Sequence, residues 1–189
     1  RLENGSATIG IIGLGYVGLP LALACARAGY RVIGFDINAD RVAAINAGEQ
    51  VISYLDPAEM REAIAAGRFE ATTDFARLGE PDALSICVPT PLTRNRDPDL
   101  SYVVNTAEMI AKTLRPGQLV VLESTTWPGT TREVVQPVLE RAGGVAGETF
   151  FLAFSPERED PGNKSFNTIS IPKLVGADDP QSRKLAETF

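Results

Sequence analysis

Residues 7–20 read ATIGIIGLGYVGLP, a short apolar run that leads into the pattern G-x-G-x-x-G at residues 13–18. An apolar run of this length predicts a buried strand over residues 7–13, and the Leu and Ala spacing of residues 19–28 predicts a helix. In such a strand–turn–helix the first glycine makes the tight turn, the second admits a pyrophosphate and the third lets the helix pack closely. The stretch therefore predicts a dinucleotide site at the helix N-terminus, against the alternative of a glycine-rich turn without a ligand.

The next apolar run, residues 31–35, ends at Asp36, 23 residues after the first glycine of the pattern. A carboxylate at this point accepts a hydrogen bond from a ribose 2′-hydroxyl, which favours NAD because the 2′-phosphate of NADP would meet its charge. Arg41 is either a cation for such a 2′-phosphate or a solvated helix residue. The other role open to Asp36 is to cap the following helix, for which Asn38 and Asp40 are better placed.

Strands and helices alternate along the rest of the chain. Further strands are predicted at residues 69–72, 83–88, 118–123, 150–154 and 173–175. Helices are predicted from residue 38 or 40 to about 48, at 57–66 and 102–114, from a capping box at 130–133 to about 142, and from 180 onward. Because the strands are continuous apolar runs, the sequence predicts an α/β fold, a doubly wound parallel sheet of the Rossmann-like dinucleotide-binding type.

The amino-acid composition argues against several classes of function and site. The 24 acidic and 18 basic residues give a net charge of −6, which argues against a nucleic-acid-binding domain. The chain contains no histidine, the commonest general base and metal ligand, so no metal site is expected. Cys25 and Cys87 have no disulfide or zinc spacing and are expected in the core, which points to a reducing cytoplasm. Neither a secretory signal nor a membrane span is expected.

Four motifs together resemble the UDP-glucose/GDP-mannose dehydrogenase family, the nucleotide-sugar 6-dehydrogenases. They are GLGYVGLP at residues 13–20, CVPTP at 87–91, ESTT at 123–126 and SPER at 155–158. Within this family, residues 89–101 and 155–162 look most like UDP-N-acetylglucosamine 6-dehydrogenases. Pro161 stands where the UDP-glucose branch carries a second Glu, so the role of that Glu is not transferred.

The resemblance implies an enzyme that oxidises the C6 alcohol of a UDP-sugar to a carboxylate in two hydride transfers to NAD, through a cysteine-bound thiohemiacetal and thioester. It implies catalytic roles for Thr125, which would position the hydrolytic water, and for Glu157, as general base or in orienting that water. Glu157 and Arg158 are the expected substrate contacts. The expected cofactor-binding residues are Gly13, Gly15, Tyr16, Val17, Gly18, Asp36, Arg41, Pro89, Thr90 and Thr125. From the residues alone, Thr125 is also an ordinary loop hydroxyl, Glu157 a solvated carboxylate and Arg158 a surface ion-pair partner.

The family's nucleophilic cysteine motif, and the lysine and asparagine that precede it, do not occur in these 189 residues. The sequence is therefore interpreted as a fragment: residues 1–7 a tag remnant or disordered start, and residues 8–189 the NAD-binding domain. The central helix and C-terminal substrate domain would be missing, and with them the contacts of a homodimer or higher homo-oligomer. The fragment alone is expected to be inactive. Two alternatives are the cofactor domain of a hydroxyacid or 6-phosphogluconate dehydrogenase and a non-catalytic dinucleotide sensor.

Overall fold

Six parallel strands form one sheet in the computed structural model, which describes residues 1–94, 96–156 and 173–189. The strands are β1 (Thr8–Ile12), β2 (Arg31–Phe35), β3 (Phe69–Thr72), β4 (Ala83–Ile86), β5 (Leu119–Leu122) and β6 (Phe151–Phe154). Their spatial order is β3-β2-β1-β4-β5-β6, and every neighbouring pair is parallel. The order reverses between β1 and β4, and this switch point is where open α/β sheets bind their ligands.

Helices cover both faces of the sheet. They are α1 (Gly18–Arg27), α2 (Ala39–Asn46), α3 (Pro57–Ala65), α4 (Ser101–Ala111), α5 (Gln136–Glu140) and α6 (Pro180–Thr188). A 3-10 turn at Phe75–Gly79 precedes β4, and a π-helical turn at Thr131–Val135 leads into α5. The predicted α/β class and doubly wound parallel sheet are confirmed.

The core consists of two apolar clusters, to which successive β-strand side chains contribute in alternation. Ile9 and Ile11 of β1 join the cluster under α1, α2, α3 and α6, whereas Ile12 joins the cluster under α4 and α5. All three isoleucines are 1% exposed or less. Burial on both faces explains why these strands read as continuous apolar runs in the sequence.

The carboxyl ends of the central strands are level with one another. Ile12 pairs with Phe35 on one side and with Ile86 on the other, and Ile86 pairs with Leu122. The loops that follow β1, β2, β4 and β5 therefore leave the sheet along one edge. This register brings together chain segments that are more than a hundred residues apart in the sequence.

Two predicted elements differ from the structure. Thr130 forms no capping box: its backbone is already helical and its hydroxyl donates to the carbonyl of Trp127, at 2.8 Å. The N–H that a capping box would use, that of Glu133, donates instead to the Gly129 carbonyl at 2.8 Å. Residues 173–175 form no strand, and in the described stretch 173–189 the chain pairs with β6 at an isolated antiparallel bridge between Phe154 and Gly176.

The first seven residues contact the body of the domain. Leu2 is buried in the core cluster under α1, and its carbonyl accepts a hydrogen bond from the Tyr30 hydroxyl at 2.8 Å. Arg1 forms an ion pair with Asp82 at 2.9 Å. Within the described residues, no helix combines the length and the apolar character needed to cross a membrane.

Candidate functional site

A cleft of about 890 Å³ opens at the carboxyl edge of the sheet, beside the switch point. It is lined by the loops after β1, β2, β4 and β5 and by one face of α4. Nine of the ten residues predicted to bind the cofactor line this cleft: Gly13, Gly15, Tyr16, Val17, Asp36, Arg41, Pro89, Thr90 and Thr125. Gly18, the tenth, is buried at the start of α1. Glu157 and Arg158 lie outside the described residues.

The three glycines of the loop meet different constraints. A Cβ on Gly13 would lie 2.6 Å from the carbonyl oxygen of Cys87, and one on Gly18 would lie 1.8 Å from the carbonyl oxygen of Gly13. A Cβ on Gly15 would meet no atom within 4 Å. Gly13 and Gly18 are therefore required by packing within the protein, whereas Gly15 leaves open space at the mouth of the cleft.

The N-terminus of α1 faces the same space. No side chain in the described part of the protein caps this helix, and its first turn contains no acidic residue. The Leu19 N–H already donates to the Gly15 carbonyl at 3.1 Å, and Pro20 has no N–H, so it is the positive end of the helix dipole that favours an anion at this position. The Gly15 gap and the uncapped helix form a cradle that fits a dinucleotide pyrophosphate.

Asp36 is buried at the end of β2, with 7% of its surface exposed, and its carboxylate joins three segments. It accepts hydrogen bonds from the backbone N–H groups of Leu14 and Asn38, both at 2.9 Å. The Arg41 guanidinium donates to the same carboxylate at 3.2 Å. The helix cap is Asn38, whose side chain accepts from the Arg41 N–H at 2.9 Å, so Asp36 is not the cap.

The loops after β4 and β5 are joined by two hydroxyl hydrogen bonds. Thr90 donates to the carbonyl of Thr125 at 2.7 Å, and Ser124 donates to the carbonyl of Val88 at 2.8 Å. The Thr125 side chain is exposed in the cleft. Thr90 and Thr125 are thus held together before any ligand is bound.

Glu123 lies directly after β5 and lines the same end of the cleft. Its residue surface is only 2% exposed, and its carboxylate accepts a hydrogen bond from the Lys173 ammonium at 2.6 Å. Lys173 reaches this position because the antiparallel bridge at Gly176 directs the chain back toward the sheet edge. The ESTT motif at residues 123–126 marked this segment in the sequence. The ion pair itself has no local sequence signal, because its two residues are fifty positions apart.

The cysteines show no activated thiol. Burial raises the pKa of Cys25 to about 12, and the negative charge of Glu123 adds to the rise, while Lys173 partly opposes it. Cys87 is buried beside the glycine loop, with 9% of its surface exposed. The described residues contain no group of three or more cysteine and acidic side chains arranged to hold a metal ion.

Sequence reasoning missed the contribution of α4 to the cleft. Its lining residues recur at helical spacing: Tyr102, Asn105, Thr106 and Met109. The i, i+3, i+4, i+7 pattern marks one face of a helix, but it does not say whether that face covers the core or a cleft. A second missed feature is Tyr54, whose ring stacks on Tyr16 and whose hydroxyl donates to the Tyr16 carbonyl at 3.0 Å.

Comparison with protein families matches residues 7–189 to the NAD binding domain of the UDP-glucose/GDP-mannose dehydrogenase family. The UDP-N-acetyl-D-glucosamine 6-dehydrogenase of Pseudomonas aeruginosa is 37% identical over 96% of this chain and 42% of its own length. The UDP-N-acetyl-D-mannosamine dehydrogenase of Pyrococcus horikoshii is 34% identical over 95% of this chain and 43% of its own. The chain thus spans about two fifths of the length of these relatives.

Solved structures give the same picture. The NDP-N-acetyl-D-galactosaminuronic acid dehydrogenase of Methanosarcina mazei superposes with a TM-score of 0.90 at 36% identity, over 98% of this chain and 42% of that one. The GDP-mannose dehydrogenase of Pseudomonas aeruginosa, solved as a ternary complex, superposes with a TM-score of 0.86 at 34% identity, over 95% and 43%. The fold and the sequence therefore point to one group of proteins.

Proposed function

The chain belongs to the UDP-glucose/GDP-mannose dehydrogenase family and is its NAD binding domain, and we propose that it is the cofactor-binding part of an enzyme that oxidises the C6 alcohol of a UDP-sugar to a carboxylate. The proposed substrate is UDP-N-acetylglucosamine, in agreement with the similarity to the 6-dehydrogenase of Pseudomonas aeruginosa. NAD, when bound, accepts the hydride that leaves the alcohol carbon in each of two steps.

One observation carries the proposal: a single cleft contains the Gly15 gap, the Asp36 carboxylate and the paired Thr90 and Thr125. These features lie on the loops after β1, β2, β4 and β5, across the switch point of the sheet. A dinucleotide bound there would extend from the β2 end to the β5 end. The arrangement supports a site for the whole dinucleotide and not for a phosphate alone.

In this proposal the backbone around Gly15 and the N-terminus of α1 bind the pyrophosphate. Asp36 accepts a hydrogen bond from the ribose 2′-hydroxyl of the adenosine half. A 2′-phosphate at that point would face a buried carboxylate, so the site selects NAD over NADP. Arg41 already donates to Asp36, which supports an accessory role beside the ribose in place of phosphate recognition.

The nicotinamide half is proposed to lie against Pro89, Thr90 and Thr125. The Thr90 hydroxyl is committed to the Thr125 carbonyl, so its proposed role is to hold the Thr125 loop in place. By resemblance to the family, Thr125 positions the hydrolytic water, and Glu157 acts on that water as base or orienting group. Glu157 and Arg158 are proposed to contact the substrate.

The further domain, the oligomeric state, the location and the partners of the complete enzyme are also proposals. The relatives are more than twice as long as this chain, which supports a further substrate domain that supplies the nucleophile. We propose a homodimer or higher homo-oligomer for the complete enzyme, a cytoplasmic location, and neither a nucleic-acid nor a membrane partner.

Calorimetric titration of the 189-residue chain with NAD tests the proposal. We expect one binding site per chain, and competition by ADP-ribose, because the glycine loop and Asp36 bind that part of the cofactor. Absence of binding by a folded chain would contradict the proposed function. Equal affinity for nucleoside triphosphates without a nicotinamide half would contradict the extent of the proposed site.

A further inference from the structure

The Glu123–Lys173 ion pair has no role in the proposed function so far, although Glu123 lines the cleft. A charged carboxylate with 2% exposure is costly to bury and persists only with a compensating partner. Lys173 provides such a partner at 2.6 Å, while its own side chain remains 29% exposed. The cleft therefore contains, at the end of β5, a buried carboxylate paired with a partly exposed ammonium.

The position of this pair relative to a bound dinucleotide follows from the sheet topology. Asp36 marks the adenosine end of the cleft at β2, and the glycine loop after β1 receives the pyrophosphate. The opposite half of the dinucleotide must therefore extend toward the loops after β4 and β5. Glu123 lies on the second of these loops, together with Ser124 and Thr125.

The oxidised and reduced forms of the dinucleotide differ in charge at the nicotinamide end. The oxidised nicotinamide ring carries a positive charge, and the reduced ring is neutral, whereas the adenosine and pyrophosphate parts are the same in both forms. A fixed charge beside the ring therefore acts on the difference between the two forms, and this is one way in which a protein tunes a cofactor. Because the Glu123 carboxylate is almost fully buried, its interaction with a neighbouring charge is less screened than that of a surface carboxylate.

We infer that Glu123 and Lys173 form a positioning and charge-setting pair for the nicotinamide, in which the Glu123 carboxylate favours the oxidised cofactor and the Lys173 ammonium limits that preference. This inference rests on the proposed function, because it requires NAD in the cleft. It predicts that the pair controls the ratio of NAD⁺ affinity to NADH affinity. A pair that only stabilised the fold would weaken both affinities by the same factor and leave the ratio unchanged.

The test is calorimetric titration of the 189-residue chain with NAD⁺ and with NADH, at mildly alkaline pH. In Glu123→Gln the ratio of NAD⁺ to NADH affinity falls by about tenfold, as expected for loss of a unit charge close to the ring. In Lys173→Met the ratio shifts in the opposite direction by a similar factor. In the double variant E123Q/K173M, which removes both charges of the pair, the ratio returns to within about twofold of the starting value.

Asp82→Asn is the matched control. Asp82 forms an ion pair with Arg115 at 2.8 Å, at the other end of β4, away from the cleft. This variant loses a partly buried ion pair and some stability, and its affinity ratio stays unchanged. If Lys173→Met fails to fold because it removes the ammonium beside the buried carboxylate, Glu123→Gln and the double variant still decide the question.

Two outcomes are distinguishable. If the starting chain binds neither form of the cofactor, the proposed function fails and this inference fails with it. If the starting chain binds both forms and the ratio changes equally or not at all in Glu123→Gln, Lys173→Met and Asp82→Asn, the inference is overturned while NAD binding stands.

Discussion

Gly15 is the glycine of the loop at which an added side chain would occupy the space proposed for the pyrophosphate. A Cβ there would meet none of the described residues within 4 Å, and Gly15 lines the cleft. We expect Gly15→Val to remain folded, with an unchanged melting temperature, and to lose NAD binding by more than about a hundredfold, because its branched side chain occupies the pyrophosphate position. Circular dichroism and calorimetry measure the two effects.

Gly18→Val is the contrasting variant, since a Cβ at Gly18 would lie 1.8 Å from the carbonyl oxygen of Gly13. We expect this variant to unfold or to lose several kcal/mol of stability. If Gly15→Val destabilised the domain as strongly, or still bound NAD, the distinction between the two glycines would be wrong.

The prediction for Asp36 concerns the affinities of the chain for NAD and for NADP. The starting chain should bind NAD more tightly than NADP. Asp36→Ala should lose about 1.5–3 kcal/mol of NAD affinity, the range for a hydrogen bond to a charged group. NADP should lose less, since its 2′-phosphate no longer faces a carboxylate and Arg41 is released from its ion pair. Equal losses for both cofactors would assign Asp36 to loop structure alone.

Helix α2 gives a prediction at the scale of one element. The sequence left open whether Asn38 or Asp40 caps this helix, and the structure assigns the cap to Asn38, which accepts from the Arg41 N–H at 2.9 Å. Replacing the cap, in Asn38→Ala, should lower the free energy of unfolding by about 0.5–2 kcal/mol. Asp40→Ala, which removes only a charge from the first turn, should cost about 0.3–1 kcal/mol. Urea denaturation measures both, and the reverse order would contradict the assignment.

Most elements could be predicted because their signals are local. The strand over Arg31–Phe35 is an apolar run that ends at a polar residue, and α3 begins at Pro57, the first residue of the predicted helix, with Asp56 as its cap. The capping box at Thr130 was wrong because the Glu133 N–H, which the Thr130 hydroxyl would have to accept from, donates instead to the Gly129 carbonyl at 2.8 Å, so the helical backbone already includes Thr130. The strand over 173–175 was wrong because a β-propensity signal cannot tell whether an edge strand will accept a partner.

The residues of the candidate site also differ in whether a local sequence signal predicts them. The glycine loop and Asp36 belong to one short βαβ segment, so their spacing could be read from the sequence. The lining face of α4 and the Glu123–Lys173 pair depend on how distant segments pack. A helical stripe such as Tyr102 and Met109 is ambiguous until its neighbours are known.

For the whole molecule, we expect NAD binding without turnover. Burial raises the pKa of Cys25 to about 12, which keeps that thiol protonated at neutral pH, and Cys87 is buried with 9% of its surface exposed, so neither thiol is placed to trap an aldehyde. The sequence also offers no histidine as a general base. Purified chain mixed with NAD and UDP-N-acetylglucosamine should therefore produce no NADH above a protein-free blank.

A positive control for that assay is the same mixture supplemented with a known nucleotide-sugar dehydrogenase, which shows that the reagents support turnover. Sustained NADH formation by the chain alone, retained after further purification and abolished in Gly15→Val, would contradict the interpretation of this chain as a cofactor domain that requires further parts for catalysis.

The hydrogen bond from the Leu14 N–H to Asp36 has a consequence for how such a domain can diverge over generations. The same carboxylate fixes the glycine loop in the folded protein and is proposed to recognise the ribose, so fold maintenance and cofactor choice share one position. A lineage that changed its cofactor by replacing Asp36 would also loosen the loop in that same mutational step. Compensation would have to arise first, at a neighbour able to hold the Leu14 N–H, which makes cofactor identity a slowly changing trait at this position.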